Sequence, residues 1–248
     1  MMPAMRTLTA VLLLAAAVSA ETVVAGAVQP QLAQDADGTF YCTFLRSGNI
    51  EVSVSADGGK TWSAPVIAID AKGNARAGRQ RGPRIGVDAK KNVYVTAPVC
   101  FDAEKLKEKY PRAELWLAIS ADGGKTFGAP VQVNDALGGA AESLHQIAVA
   151  PGGDAHVVWL DNREGKGNCL FYAKVSGGKV AKNVKISPLV CPCCAPGIAL
   201  DGKGNPWVVY REMSDDASRE IFLTISRDAG KTFSPPGRVN RKETKLPD

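Results

Sequence analysis

Residues 55–62, Ser-Ala-Asp-Gly-Gly-Lys-Thr-Trp, decide the fold, because they return at residues 120–127 with only the last residue changed to Phe. A third copy at residues 226–233 reads Ser-Arg-Asp-Ala-Gly-Lys-Thr-Phe. Each copy follows a run of alternating apolar residues, which predicts a hairpin turn after a strand. We expect the aspartate to accept hydrogen bonds from N–H groups of its own turn, and the glycine to supply a positive φ. The motif is therefore a folding device first.

The spacing of the motif indicates a repeat of about fifty residues. The interval between the second and third copies is close to twice that length, which leaves room for one further copy between them. Residues 175–180, Val-Ser-Gly-Gly-Lys-Val, are the same turn without its Ala-Asp pair. We therefore predict four repeats, over residues 28–72, 82–136, 143–188 and 194–241.

A second repeated segment lies upstream of each turn. The stretches that begin at Pro30, Pro83, His145 and Pro196 align without gaps as a short apolar strand, a tight turn and a β-branched or aromatic strand. Each repeat thus has four strands, and the best helix candidate is a short insert at residues 103–110. This pattern predicts an all-β fold, a β-propeller of four-stranded antiparallel blades. It is either a small closed propeller or a shortened relative of a six-bladed one.

Residues 1–20 have the features of a secretory signal peptide. Arg6 precedes an apolar run over residues 8–18, and Val-Ser-Ala at residues 18–20 is a small-residue cleavage pattern. The apolar run is too short to span a bilayer, and no later segment could do so. We expect a secreted or periplasmic protein without membrane insertion, whose single domain covers residues 21–248.

Charge and cysteine content narrow the function classes. The formal net charge of +5 is mild, and no Lys/Arg run with interleaved aromatics indicates nucleic-acid binding. Six cysteines in an exported chain are most simply a disulfide set, although the pairing is not readable from sequence.

The Ser-x-Asp-x-Gly-x-Thr-Trp/Phe motif in a four-stranded repeat resembles the Asp-box, or BNR, repeat of sialidases and their relatives. The resemblance covers about residues 28–240. It implies a cleft on the rim opposite the Asp-box turns, where sialidases hold a carboxylate with three arginines. It also implies a Tyr–Glu pair, as nucleophile and helper, and an Asp as acid/base.

The roles that the resemblance implies fall on particular residues of this chain. Pro-Arg-Ile-Gly at residues 83–86 resembles the family's Phe-Arg-Ile-Pro segment, although Gly86 replaces the final Pro and no Phe precedes the arginine. Arg84 is accordingly a candidate ligand residue, and Asp102 in the following loop is the candidate acid/base. The remaining candidates on this rim are Tyr210 and Glu212 for catalysis, and Arg211, Arg219, His145 and Gln146 for ligand binding.

Cys191-Pro-Cys-Cys194 is the least ordinary stretch of the chain. Disulfides that fix this loop to a neighbouring blade are the leading interpretation. A thiolate metal site, with His145 as an extra ligand, and a redox role for the vicinal pair are the alternatives. We therefore predict no metal and no cofactor.

The leading functional interpretation is an exported, sialidase-like protein that binds an acidic glycan or a similar anion. If it is an enzyme, it is an exo-α-sialidase-like glycoside hydrolase. The alternative is a non-catalytic propeller that presents the same rim to a protein or polysaccharide partner. Fold alone does not decide between them.

Overall fold

The computed structural model describes residues 24–76, 78, 80–100, 112–140, 142–213 and 219–240. This part of the chain forms seventeen β-strands and contains no helix. The predicted signal peptide at residues 1–20, the predicted insert at residues 103–110 and Asp102 lie outside the described residues. No described segment is a helix long and apolar enough to cross a membrane.

The strands fall into four consecutive units. Unit 1 contains β1 (Val28–Gln34), β2 (Phe40–Arg46), β3 (Asn49–Ser55) and β4 (Val66–Ile69). Unit 2 contains β5 (Arg84–Val87), β6 (Val93–Val99), β7 (Glu114–Ser120) and β8 (Val131–Gln132). Unit 3 contains β9 (His145–Val149), β10 (Ala155–Asp161), β11 (Asn168–Ser176), β12 (Lys179–Val180) and β13 (Val184–Val190). Unit 4 contains β14 (Gly197–Leu200), β15 (Pro206–Met213), β16 (Arg219–Ile225) and β17 (Gly237–Arg238).

Every strand pairing is antiparallel. Units 1 and 2 are separate four-stranded sheets in the order β1-β2-β3-β4 and β5-β6-β7-β8. Units 3 and 4 join into one nine-stranded sheet, and the two units meet where Val190 of β13 pairs with Glu212 of β15. The predicted all-β architecture is thus confirmed, and units 1 and 2 are four-stranded antiparallel sheets as predicted. Units 3 and 4 depart from the prediction, because unit 3 has five strands and the pairing of Val190 with Glu212 merges the two units into one sheet.

The core lies between consecutive units. Tyr41 and Ile50 of unit 1 pack in one cluster with Val95 of unit 2. Similar clusters join unit 2 to unit 3 and unit 3 to unit 4, with Trp159 and Tyr172 among their largest buried side chains. The first strands of the units, β1, β5, β9 and β14, lie side by side in that order. Sheet-on-sheet burial of apolar area therefore holds the row of units together.

The Asp-box turns have the predicted bonding. In the first copy, Oδ1 of Asp57 accepts from the Thr61 N–H at 2.9 Å and from the Ser55 hydroxyl at 2.8 Å, while Oδ2 accepts from the Thr61 hydroxyl at 2.5 Å. Asp122 and Asp228 repeat this pattern. The hydrogen bonds from Thr61 and Ser55 lower the pKa of Asp57 to about 2. Each carboxylate therefore ties both ends of its turn together.

The reduced copy in unit 3 is a two-residue hairpin. Gly177 and Gly178 both have positive φ, 54° and 78°, between the paired residues Ser176 and Lys179. The Ser176 hydroxyl donates at 2.6 Å to Oδ1 of Asp154, which belongs to the preceding hairpin of the same unit. This turn lacks its own aspartate, and Asp154 from the preceding hairpin accepts the hydrogen bond of its serine instead.

Candidate functional site

The two rims of unit 4 are defined by the course of β15. At its start, Oδ1 of Asn205 accepts from the Ala229 N–H in the third Asp-box turn at 3.2 Å. At its end, Met213 pairs with Arg219 of β16. The strand has eight residues and is about 25 Å long. The end of β15 therefore lies on the rim opposite the Asp-box turn, which we call the upper rim.

Arg84 is the first residue of β5 and is 6% exposed. Its Nη1 donates to the carbonyl oxygens of Gly82 at 3.0 Å and Pro83 at 2.9 Å, and its Nη2 donates to that of Gln80 at 2.6 Å. The segment that enters β5 therefore bends around its guanidinium. These bonds fix the side chain but neutralise no charge.

Arg84 differs in its electrostatics from other arginines of the described residues. Arg46 pairs with Glu51, Arg81 with Glu142, and Arg163 with both Asp161 and Asp135. Among the described residues, no carboxylate lies within ion-pair distance of Arg84, and burial alone lowers the pKa of its guanidinium. Its Nε has no hydrogen-bond partner. Among the described residues, Arg84 is thus a buried cation with an unused Nε–H group and no counter-charge.

His145 lies beside Arg84, across the junction of units 2 and 3. Its Nδ1 lies 3.4 Å from the Ser143 carbonyl oxygen, and its Nε2 lies 3.0 Å from the Thr96 hydroxyl. A carbonyl can only accept, so Nδ1 carries the proton and Nε2 accepts from Thr96. Burial, followed by the charge of Arg84, lowers the pKa of His145 to about 3. The ring is therefore neutral at physiological pH and adds no charge to the site.

Gln146 is the next residue of β9 and is half-buried. Its side-chain oxygen lies 3.4 Å from the Ile147 N–H. Because neighbouring residues of a strand point to opposite faces, Gln146 and His145 project to different sides of unit 3.

Tyr210 and Glu212 form a pair on β15. They are two residues apart in the strand and so lie on the same face. The Tyr210 hydroxyl lies 3.3 Å from Oε2 of Glu212, and the Ser187 hydroxyl lies 3.2 Å from the same oxygen. Tyr210 is buried, with its ring stacked on that of Phe222 at 6.3 Å, whereas Glu212 is partly exposed. A phenol and a carboxylate are thus in hydrogen-bond contact at the end of unit 4.

Arg211 and Arg219 lie next to the cysteine loop. Nη1 of Arg211 is 3.8 Å from Sγ of Cys194, and the Arg211 carbonyl accepts from the Cys191 N–H at 2.9 Å. Burial opposes ionisation of Cys191, but hydrogen bonds from the Cys193 backbone and from the two neighbouring thiols, with the charge of Arg219, bring its pKa below the ordinary value. The thiols of Cys191, Cys193 and Cys194 are free, so no disulfide fixes this loop in the structure.

Except for Gln146, the candidate residues that the structure describes form two groups. One group lies at the junction of units 2 and 3 and contains Arg84 and His145, together with Thr96 of β6. The other is on unit 4 and contains Tyr210, Glu212, Arg211 and Arg219. No hydrogen bond or ion pair recorded for the described residues joins the two groups, so a joint three-arginine grip stays a prediction.

Sequence reasoning missed three components of these groups. The hydroxyl of Thr96 is hydrogen-bonded to His145, and that of Ser187 is hydrogen-bonded to Glu212. A single hydroxyl residue in a strand gives no sequence signal for such a contact. The carbonyl cradle of Arg84 is made by the backbone and is invisible in side-chain patterns. Its only sequence signal is Gly82-Pro83, a turn-prone pair directly before the arginine.

The comparisons with known proteins agree with the motif and the fold. Residues 53–64 match the family described as BNR/Asp-box repeat. No curated protein sequence matches the chain. The predicted resemblance to sialidase-like Asp-box proteins is confirmed for the repeat and for the fold.

Several solved glycan-processing enzymes have a similar structure. An ulvan lyase of family PL25, bound to -[GlcA(1-4)Rha3S]-, superposes with a TM-score of 0.60 and 13% identity over 86% of this chain and 56% of the lyase. The K499G mutant of NanB sialidase from Streptococcus pneumoniae superposes with a TM-score of 0.59 and 14% identity, over 90% of this chain and 53% of the sialidase. The intramolecular trans-sialidase from Ruminococcus gnavus, in complex with oseltamivir carboxylate, superposes with a TM-score of 0.60 and 13% identity, over 88% of this chain and 71% of the trans-sialidase. The chain therefore spans little more than half the length of the first two.

Proposed function

We propose that this chain is an exported glycan-binding protein that recognises an anionic sugar on its upper rim, at the start of β5. Arg84 pairs there with Thr96 of β6, whereas Val93 at the other end of β6 pairs with Ser120 of the second Asp-box. The observation that carries the proposal is Arg84, a buried cation with no carboxylate partner among the described residues. Burying an unpaired charge costs several kcal/mol. An anionic ligand would supply the missing counter-charge.

The geometry of Arg84 suits a carboxylate. Three N–H groups already bond to backbone carbonyls, which fixes the guanidinium plane before any ligand arrives. Its Nε–H is unused, and an edge of a guanidinium that presents two N–H groups matches the two oxygens of a carboxylate. The neutral His145 beside it offers no competing charge. This arrangement favours an acidic sugar over a neutral one.

The comparisons support the same ligand class. The ulvan lyase was solved with -[GlcA(1-4)Rha3S]-, and the trans-sialidase with oseltamivir carboxylate. We propose that the four units are blades of a β-propeller. Four side-by-side units that match about half of a longer neighbour support this proposal. The signal-like residues 1–20 support export.

Glycoside hydrolysis is the second candidate function. The contact between the Tyr210 hydroxyl and Glu212 favours it, because the resemblance to sialidases implies such a pair. Asp102 would serve as the acid/base in this reading. The rival without catalysis is a propeller whose upper rim binds a protein or a polysaccharide.

Calorimetric titration of the mature protein with sialyllactose, a glucuronate-containing ulvan oligosaccharide and lactose tests the proposal. We expect one or both acidic glycans to bind and lactose to give no heat. Arg84→Lys keeps the charge but loses the fork, so we expect at least about tenfold weaker binding. Arg227→Ala, on the Asp-box rim, is the matched control and should bind like the parent protein.

Two results would contradict the proposal. One is an Arg84→Lys protein with parental thermal stability and parental affinity for the acidic glycan. The other is binding of lactose as tight as that of sialyllactose. Release of a fluorogenic group from a sialoside decides separately between binding alone and hydrolysis.

A further inference from the structure

Three cysteines converge in the loop between β13 and β14. Sγ of Cys191 lies 3.4 Å from Sγ of Cys193, which lies 4.0 Å from Sγ of Cys194. All three sulfur atoms lie within 4.8 Å of one another. The three thiols are buried, exposed and half-buried, in that order, so the cluster has one open side. Among the described residues, these cysteines are the one set of three or more His, Cys, Asp or Glu side chains whose ligand atoms lie close enough together to share a metal ion.

The backbone holds the cluster in place. The Cys191 N–H donates to the Arg211 carbonyl of β15, which fixes the start of the loop to unit 4. The Cys194 N–H turns back to the Cys191 carbonyl at 3.4 Å, so the loop is a single tight turn. Pro192 and Pro196 restrict the backbone within and after this turn. The sulfur positions are therefore set largely before a ligand binds.

The spacing of the sulfur atoms suits a shared metal ion. With metal–sulfur bonds of about 2.3 Å, three sulfurs arranged trigonally around one ion lie about 4 Å apart. The distances in the loop bracket this value, and small side-chain rotations would equalise them. A disulfide needs two sulfurs at about 2.05 Å, and it would leave the third thiol unused.

The donor set selects the kind of metal. Thiolates are soft ligands that bind Cu(I) and Zn(II), whereas Ca²⁺ and Mg²⁺ require oxygen ligands. Zinc sites are tetrahedral and take a fourth ligand, but the cluster offers three sulfurs. His145 does not supply the fourth, because both of its ring nitrogens already have partners, the Ser143 carbonyl and the Thr96 hydroxyl. Three-coordinate sulfur ligation is suited to Cu(I).

We propose that Cys191, Cys193 and Cys194 form a binding site for one Cu(I) ion. Binding replaces the thiol protons by the cation and releases them to solvent, and the copper and the sulfur atoms keep their oxidation states. Three thiolates with one Cu(I) carry a net charge of −2. Arg211, 3.8 Å from Cys194, and Arg219, whose charge acts on Cys191, offset it. The proposal is independent of Arg84 and of glycan binding.

Anaerobic titration of the reduced protein with Cu(I), in competition with a chromogenic Cu(I) chelator, tests the site. We expect one chelator-resistant Cu(I) per chain and a thiolate-to-copper charge-transfer band in the ultraviolet. Cys193→Ser should remove both, and because Cys193 is exposed, its folding should be unaffected. Cys42→Ser, which removes a thiol of β2, is the matched control and should bind like the parent protein.

Three outcomes would overturn the proposal. The reduced parent protein fails to hold Cu(I) against the chelator, or the Cys193→Ser protein holds it equally well. In the third, the protein retains Zn(II) through these cysteines but not Cu(I). Circular dichroism and thermal unfolding of each variant, compared with the parent protein, separate a lost site from a lost fold.

Discussion

The hydroxyl of Tyr210 lies 3.3 Å from Oε2 of Glu212, at the end of unit 4 that is remote from the Asp-box turn. Burial, with a contribution from Glu212, raises the pKa of this phenol to about 12. The phenol therefore stays protonated at neutral pH and donates to the carboxylate. Tyr41 makes a similar contact with Asp35 at 3.0 Å, and the pKa of Tyr41 is also raised to about 12.

The Tyr210–Glu212 pair gives the first prediction. If the chain hydrolyses sialosides, Tyr210→Phe should lower kcat by about a hundredfold or more, because the reacting hydroxyl is removed while the ring still fills its place. Binding of sialyllactose should persist. The measurement is fluorescence release from a 4-methylumbelliferyl sialoside. Tyr41→Phe is the control, and equal loss of activity in both variants would assign the effect to folding rather than chemistry.

The two histidines predict how stability depends on pH. Burial lowers the pKa of His145 to about 3 and that of His156 to about 4, both below the ordinary 6.5. Between pH 4.5 and 6.5 the unfolded chain therefore binds more protons, so the free energy of unfolding falls as the pH falls. We expect a loss of roughly 2 kcal/mol per histidine between pH 7 and pH 4.5.

Urea unfolding across this pH range measures the effect. His145→Gln keeps an acceptor toward Thr96, and His156→Asn keeps one toward Tyr172, whose hydroxyl lies 2.7 Å from Nδ1 of His156. Each variant should flatten the pH dependence by about half. An unchanged slope in both would show that neither ring is excluded from protonation.

Gly230 in the third Asp-box turn provides a stability test. Its φ is +91°, and a Cβ atom there would overlap the hydroxyl of Tyr172 in unit 3. Gly58 in the first copy also has positive φ, +77°, but a Cβ there meets nothing within 4 Å. Both Gly→Ala changes cost about 1 to 2 kcal/mol for the backbone, and Gly230→Ala should cost at least about 1 kcal/mol more for the clash. Similar unfolding free energies for the two variants would contradict this contact.

The Asp-box carboxylate should matter for stability and not for binding. Asp122→Ala removes the acceptor of the Thr126 N–H, the Thr126 hydroxyl and the Ser120 hydroxyl. We expect the melting temperature to fall by several degrees while affinity for the acidic glycan is unchanged. Asp37→Ala, which removes an exposed carboxylate paired with Lys91, is the control and should melt near the parent protein. A loss of glycan affinity in the Asp122→Ala protein would indicate that the glycan binds on the Asp-box rim, which would contradict the proposed site.

Sequence patterns predicted the fold well because local chemistry decides it. The Ser, Asp, Gly and Thr of each Asp-box bond within one turn, and alternating apolar residues mark the strands beside it. Even the reduced copy at residues 175–180 forms its hairpin, since two glycines suffice for the turn. The pairing of Val190 with Glu212, which merges units 3 and 4 into one sheet, was not predicted, because it depends on how two units meet.

The candidate site was less predictable because its properties arise from long-range placement. The resemblance points to Arg84, but the absence of a carboxylate partner for it among the described residues depends on where the surrounding units place their acidic side chains. Arg163, by contrast, is neutralised by Asp161, two residues before it, and by Asp135. The cysteine loop was expected to form disulfides, whereas its tight turn gathers three free thiols.

The placement of the Asp-box turns also bears on how such a protein can change over time. In unit 4 the residues that latch the hairpin, Asp228 and Thr232, lie at one end of the strands, and Arg211, Glu212 and Arg219 lie at the other. Substitutions of Arg211, Glu212 or Arg219 leave the hydrogen bonds of the Asp-box turn intact, so binding specificity can change with little effect on folding. A scaffold of this kind is suited to diversification, and to loop grafting by design.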